Sequence, residues 1–192
     1  MESYKGLPIL YFESQADWEA WLEEHQNDSQ GLWLKISKKG SGFDSLSYTE
    51  ALDSAICYGW IDSQKGALDD DFWLQRFTPR GSRSKWSQRN RAIADQMIRQ
   101  GRMQPAGLRE VELAKQDGRW DAAYASQSKI TVPDDFQAEL DKNPVAKEFF
   151  TTLNSVNRYA ILYRLQDAEK PETRLRRMEK FISMLNEHQT IY

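Results

Sequence analysis

The hydrophobic residues of this chain change period near residue 80, and that change fixes the class of fold. Before it, Leu32, Leu34 and Ile36 alternate with Trp33, Lys35 and Ser37, and the runs Leu7 to Phe12, Trp60 to Leu68 and Phe72 to Thr78 read as strands. After it, apolar residues recur at spacings of mostly three and four: Phe136 and Leu140, Val145 and Phe149, Tyr159, Ile161, Leu162 and Leu165, then Leu175, Met178, Ile182 and Leu185. The expected class is α+β, with a small, mostly antiparallel sheet packed with helices and a helical C-terminal part.

Local signals place the elements. Ser14 with Asp17 three positions on predicts a helix over about 15–24, carrying Trp18, Trp21 and Leu22 on one face. Ser47 and Glu50 form an S-x-x-E capping box opening a helix that runs to Gly59. The two strand-like runs around Asp69-Asp70-Asp71 predict a hairpin with its acidic tip in water. Ser84 is the expected cap of a helix closed by Gly101, and Pro105 suits the first turn of the next. Pro133, Pro144 and Pro171 are each expected just inside a helix start in the tail. The expected organisation is an α+β domain over 1–118, a linker over 119–132 and a helical module over 133–192.

At 192 residues with 40% hydrophobic side chains, the chain can build a core without disulfides or metal. Its single cysteine, Cys57, forms no internal disulfide. The N-terminus lacks the basic and apolar stretches of a signal peptide, and no apolar run approaches membrane-spanning length, so the expectation is a cytoplasmic protein without membrane insertion.

Charge is segregated. Between Gln75 and Arg102 stand eight Lys or Arg residues against one acid, Asp95, inside a chain of net charge −3. Seven of the eight are arginine, the side chain suited to planar and anionic partners, phosphate and carboxylate above all. Gly81 and Ser82, flanked by Arg80, Arg83 and Lys85, precede the predicted helix start, where unpaired N–H groups attract anions. Either these arginines serve a ligand, or they pair with Asp53, Asp62 or the Asp69–Asp71 tip. At 100° per residue, Trp86, Asn90, Ile93 and Met97 fall within about 60° of one another, which sets an amide in an apolar stripe. Asn90 must therefore bond to backbone, water or a ligand.

Other constellations carry less. Cys57 projects with Glu50, Asp53 and Ser54, away from the apolar face of its helix, but thiolate activation needs a base or positive field, and the two histidines, His25 and His188, lie elsewhere in the sequence. With so little His and Cys no zinc site is expected, and Asp69–Asp71 match no calcium loop. Arg174, Arg176, Arg177 and Lys180 share an amphipathic helix with Glu172, Glu179 and Glu187.

Four blocks, "YTEALDSAICYGWIDSQ" (48–64), "RFTPRGSRSKWSQRN" (76–90), "GRMQPAGL" (101–108) and "EKPETRLRRMEKFISML" (169–185), resemble the YdeI/OmpD-associated, or bacteriocin-protection, family. The resemblance extends over nearly the whole chain. It implies a bacterial, cytoplasmic α+β protein with a helical C-terminus, and brings neither a reaction nor catalytic residues. Three positions depart from the family pattern: Gly81-Ser82 stands where relatives often have a further arginine or proline, Glu169 where a lysine is common, and Glu187-His188-Gln189 where the chain usually ends in Gly-Lys/Arg.

The leading expectation is a stress-type protein that binds a small anionic or aromatic ligand, without cofactor or metal, in a pocket walled by Trp60, Asp62, Arg76, Arg80, Arg83, Trp86 and Asn90. Arg76 and Arg80 would engage the anion, Trp60 and Trp86 would stack, Asn90 would read a polar edge, and Asp62 would orient an arginine. Two alternatives stand beside it: an interaction protein whose basic helices contact nucleic acid or an acidic protein, and an enzyme centred on Cys57 or Asp62. The net charge disfavours nucleic acid, and oligomeric state is left open.

Overall fold

A computed structural model describes residues 2–192. The elements follow in the order β1 (Ser3–Tyr4), β2 (Leu7–Tyr11), α1 (Gln15–His25), β3 (Leu32–Ser37), α2 (Tyr48–Cys57), β4 (Trp60–Ala67), β5 (Phe72–Pro79), α3 (Gln88–Arg99), α4 (Pro105–Gln116), α5 (Asp134–Lys142), α6 (Pro144–Thr152), α7 (Ser155–Gln166) and α8 (Pro171–Asn186). The fold is α+β. Two compact units divide it: one takes the chain up to Trp86 with Asn90–Ala122, the other Ser87–Arg89 with Ala123–Tyr192. The expected linker region is packed at its start, since Trp120, Ala123 and Ala125 are buried.

In the first unit five strands run in the order β1-β2-β3-β5-β4, antiparallel except for the β2–β3 pair. A parallel pair needs a crossover, and α1 supplies it. The sheet separates its faces by period two. Leu32, Leu34 and Ile36 stand opposite Phe77, Gln75 and Trp73 on one face, which Trp60 and Asp62 join through pairing with Pro79 and Phe77. Trp18 of α1 packs here, with ring centroids 5.8 Å from Phe77 and 6.3 Å from Trp60. Trp33 and Arg76 stand opposite each other on the other face, where Tyr4 meets Trp33 edge-on at 4.9 Å.

Both reciprocal bonds of the capping box form at α2, Glu50 N–H to Ser47 Oγ and Ser47 N–H to Glu50 Oε2. A polar knot ties α1 to α2: the buried Ser54 hydroxyl donates to Glu19 Oε1 (2.6 Å), which also accepts from Gln15 Nε2 (3.0 Å) and Arg102 Nη2 (2.9 Å). Arg102 is thus committed to an internal carboxylate. The acidic hairpin tip is organised by Asp69 Oδ1, which accepts from the N–H groups of Asp71 and Phe72.

The second unit is a four-helix cluster around Phe136, Leu140, Ala146, Phe150, Ile161, Leu162, Leu165, Phe181 and Leu185. Pro144 and Pro171 occupy first-turn positions of α6 and α8, whereas Pro133 is the N-cap residue of α5. Arg174 grips Asp135 with two N–H groups (2.6 and 2.8 Å) and donates to the Leu165 carbonyl (2.6 Å), locking α5, α7 and α8 together. That grip holds the Asp135 carboxyl below its ordinary range.

Helices α2 and α4 meet without side-chain spacing. The Gln104 N–H donates to the Cys57 carbonyl (3.1 Å), and a Cβ at Gly107 would lie 2.2 Å from that carbonyl oxygen. Backbone on both sides leaves nothing flexible to yield. Gly107→Ala is expected to cost about 1–3 kcal/mol through overpacking, read by denaturant or thermal unfolding. Gly101→Ala makes the control, because its Cβ would enter open space and only its positive φ (+69°) is penalised.

Candidate functional site

Three of the four sequence blocks converge on the end of α2. Tyr58 caps that helix, and Gly59 turns the chain into β4 with φ +77°, a conformation that favours glycine. A side chain at Gly59 would press on the Ala106 carbonyl at 3.1 Å and on Glu110 Cγ at 3.2 Å. The Gly59 carbonyl accepts from the Arg80 N–H at 3.0 Å. The glycine therefore joins the start of β4, the end of β5 and α4 at one point.

Beyond β5 the chain makes a tight turn. Ser84 N–H donates to the Gly81 carbonyl and Gly81 N–H to Ser84 Oγ, both at 2.9 Å. Ser84 is spent on that turn, so it caps no helix; α3 starts four residues later, at Gln88. The Gln88 N–H is itself bonded to the Tyr124 carbonyl at 2.9 Å, and Ser87 and Tyr124 form a β-bridge. The helix N-terminus expected at Ser84, beside Arg80 and Lys85, therefore lies at Gln88 instead. The end of α3 agrees with expectation: Gly101 adopts φ +69° and the Arg102 N–H returns to the Met97 carbonyl.

The turn brings Arg80 onto Trp86. The guanidinium carbon lies 3.6 Å from the indole ring, both side chains are buried, and Arg80 Nη1 donates to the Lys85 carbonyl at 3.3 Å. Trp120 meets Trp86 edge-on at 4.9 Å. Arg119 donates from Nη1 to the Ser84 carbonyl at 2.8 Å and from Nε to Asp117, and Arg91 donates to the Trp120 carbonyl at 2.8 Å. Glu110 completes the surroundings: burial raises its pKa above the usual carboxylate value, while Arg119, Arg80 and Arg109 pull it down. Among the described residues the buried Trp86 indole N–H has no acceptor, and the same holds for Trp33 and Trp60.

The seven expected site residues do not all share this place. Arg83 is exposed in the same turn, and Asn90 is buried on the α3 stripe with Ala94 and Met97. Trp60 lies in the aromatic core, 5.7 Å from Trp21. Asp62 neighbours it on that sheet face and accepts from the Tyr48 hydroxyl at 2.7 Å. Arg76 belongs to the opposite face, because one step along a strand reverses the side chain. Arg76 and Asp62 therefore cannot clasp one guest.

Cys57 is core. The face expected to be free is covered by α4, the side chain is 2% exposed, and burial pushes the thiol up to about 11 despite the lowering effect of Arg102. Almost no thiolate exists at neutral pH, which removes the basis for a nucleophilic role. Among the described residues, no three His, Cys, Asp or Glu side chains cluster to hold a metal ion, and no helix is long and apolar enough to cross a membrane.

Residues 10–110 match the model of a domain of unknown function (DUF8412). The chain belongs to the DUF8412 family. Residues 129–188, in the helical unit, match a second family model, described as bacteriocin-protection, YdeI or OmpD-associated. The blocks 48–64, 76–90 and 101–108 lie within the DUF8412 match, and 169–185 lies within the bacteriocin-protection match. No curated protein and no solved structure matches the chain. In DUF8412 terms, Glu110 ends the matched segment, whereas Arg119 and Trp120 fall beyond it. The sequence patterns missed all three: Trp120 sat in the expected linker, and Glu110 followed the 101–108 block by two residues.

The burial of Cys57 yields a direct check. In the native protein at pH 7.5, iodoacetamide or a disulfide reagent should label Cys57 orders of magnitude more slowly than in denaturant. Labelling at the denatured rate would contradict both the burial and the raised thiol pKa.

Proposed function

We propose that this chain is a binding protein, not a catalyst, and that it takes a small anionic or aromatic ligand at the Arg80–Trp86 stack. Arg83, on the exposed turn between them, supplies the outer positive charge, and Asn90 the polar edge. Arg119, Trp120 and Glu110 form the remaining surroundings. Trp60, Asp62 and Arg76 drop out of the ligand's immediate reach. The reading rests above all on the buried Trp86 N–H, which among the described residues has no acceptor, as is also true of Trp33 and Trp60, but which alone of the three lies beside a guanidinium stacked at 3.6 Å. An acceptor atom on a flat or anionic guest would satisfy that donor, whose isolation costs about 1–3 kcal/mol.

A thermal-shift screen with inorganic phosphate, sugar phosphates, nucleotides and aromatic carboxylates tests this. A ligand at 100 times its dissociation constant adds roughly 2.7 kcal/mol, which is several degrees in melting temperature. Arg83→Ala, at an exposed position, should reduce the shift without changing the melting temperature of the free protein; absence of a shift for every compound refutes the site.

The raised Glu110 pKa adds a pH signature. The carboxylate repels an anion, and more of it is neutral at pH 5 than an ordinary glutamate would be. Anion affinity should rise between pH 7.5 and pH 5, and Glu110→Gln should flatten that profile. Affinity that falls with acid in the wild type would count against Glu110 facing the guest.

A further inference from the structure

Helix α8 ends on a firm stop. The Gln189 N–H returns to the Met184 carbonyl (2.8 Å) and the His188 N–H to the Leu185 carbonyl (3.1 Å), the paired bonds of a Schellman ending. His188 takes the left-handed position of that ending, φ +54°, which glycine fills at least cost. Its ring meets Phe149 of α6 edge-on at 4.9 Å. Just before the reversal, Asn186 Oδ1 accepts from the Ala146 N–H (3.1 Å), so the end of α8 is fixed to α6.

The reversal carries the chain to α7, where a buried amide receives it. Asn157 is 4% exposed; its Oδ1 accepts from the N–H groups of both Ile191 and Tyr192 at 2.9 Å, and its Nδ2 donates to the Tyr192 backbone oxygen at 3.3 Å. Asn154, the N-cap of α7, orients that amide, since its Oδ1 accepts from the Asn157 N–H (2.9 Å) and from Asn157 Nδ2 (3.2 Å). Asn157 therefore grips main chain and is preset to do so. Ile191 packs against the helical core, whereas Tyr192 is 73% exposed and touches Arg164 from outside, hydroxyl to Nη2 at 3.3 Å. Residues 189–192 belong to no helix or strand. A segment joined by so few buried contacts opens at lower free energy than the helices beneath it.

We propose that residues 188–192 are a strap that opens and closes on the helical unit while α5 to α8 stay folded, with His188 as its hinge and Asn157 as its latch. Closed, the strap seats Ile191 on the core and satisfies the Asn157 amide with backbone. Open, it uncovers the apolar seat of Ile191 and turns the amide over to water, while the cluster of Phe136, Phe150, Leu165 and Leu185 stays packed. Asn157 acts as a positioning residue, because it fixes where the strap lies through main-chain bonds that are indifferent to the strap's side chains.

Amide hydrogen exchange on the full chain, followed residue by residue by NMR, tests the strap. In the wild type the Ile191 and Tyr192 amides should be protected, yet exchange about tenfold or more faster than Ile161 and Leu165 within α7. Asn157→Ala should bring Ile191 and Tyr192 to the rate of a free peptide and leave Gln189, in the helix ending, protected. Ile191→Ser removes the apolar seat alone and should speed both amides about tenfold, with Ile161 and Leu165 at their wild-type rates; it decides the matter if Asn157→Ala does not fold. The proposal falls if Ile191 and Tyr192 exchange in step with Ile161 and Leu165, since the segment would then open only when the helices do. It falls equally if the two amides are unprotected in the wild type, or if neither variant changes their exchange. Protection that grows with protein concentration also overturns it, because the latch would then hold the segment of a second copy.

Discussion

Backbone contact between α2 and α4 is the constraint on which the first unit depends. Where Gly107 lies against the Cys57 carbonyl, two helices approach closely enough that a methyl group has no room. That approach places Ala106 and Glu110 against Gly59, whose positive φ starts β4 and whose carbonyl receives the Arg80 N–H at the end of β5. One close crossing thus aligns a helix, a hairpin and the arginine-bearing turn. It also accounts for the residue types in the three blocks: the glycines are required by contact and by turning, and the aromatic side chains fill what the sheet and helices enclose.

The arginine-rich stretch acquires a different meaning in this frame. Its cations are distributed rather than pooled. Arg76 is on the far sheet face beside Trp33, Arg80 is stacked and buried, Arg83 is in water, Arg91 holds the Trp120 carbonyl, and Arg102 binds Glu19. Arginine is the residue that can be buried against an indole and still place its donors, so a run of arginines is compatible with structure as much as with recognition. The Arg80–Trp86 stack is such a structural use, and among the described residues its indole N–H has no acceptor.

Local rules were legible wherever a single residue or a short spacing settles the outcome. The capping box at Ser47 and Glu50, the hairpin around Asp69–Asp71, the Gly101 stop and the proline-opened helices of the tail all formed. Reading failed where the answer lay in distant partners. Ser84 looked like a cap, but its hydroxyl was claimed by the Gly81 N–H, and the first free turn of α3 was delayed by the pairing of Ser87 and Gln88 with Tyr124. Cys57 looked outward on a helical wheel, yet α4 covers that side, and no pattern within 48–57 announces a helix fifty residues away. Gathering Arg76 with Asp62 ignored the strand period that the same reading had used for Leu32, Leu34 and Ile36.

The register of β4 against β5 shifts by one residue between Asp62 and Lys65. As the outermost strand, β4 offers unpaired backbone groups on its far side, and an uninterrupted edge would invite a strand from another molecule. The bulge breaks the regular spacing of those groups, and the exposed Ser63, Gln64 and Lys65 wet and charge the same stretch. The irregularity that appears as a flaw in pairing therefore works as a solubility device: it limits the sheet to five strands and guards the protein against edge-to-edge aggregation.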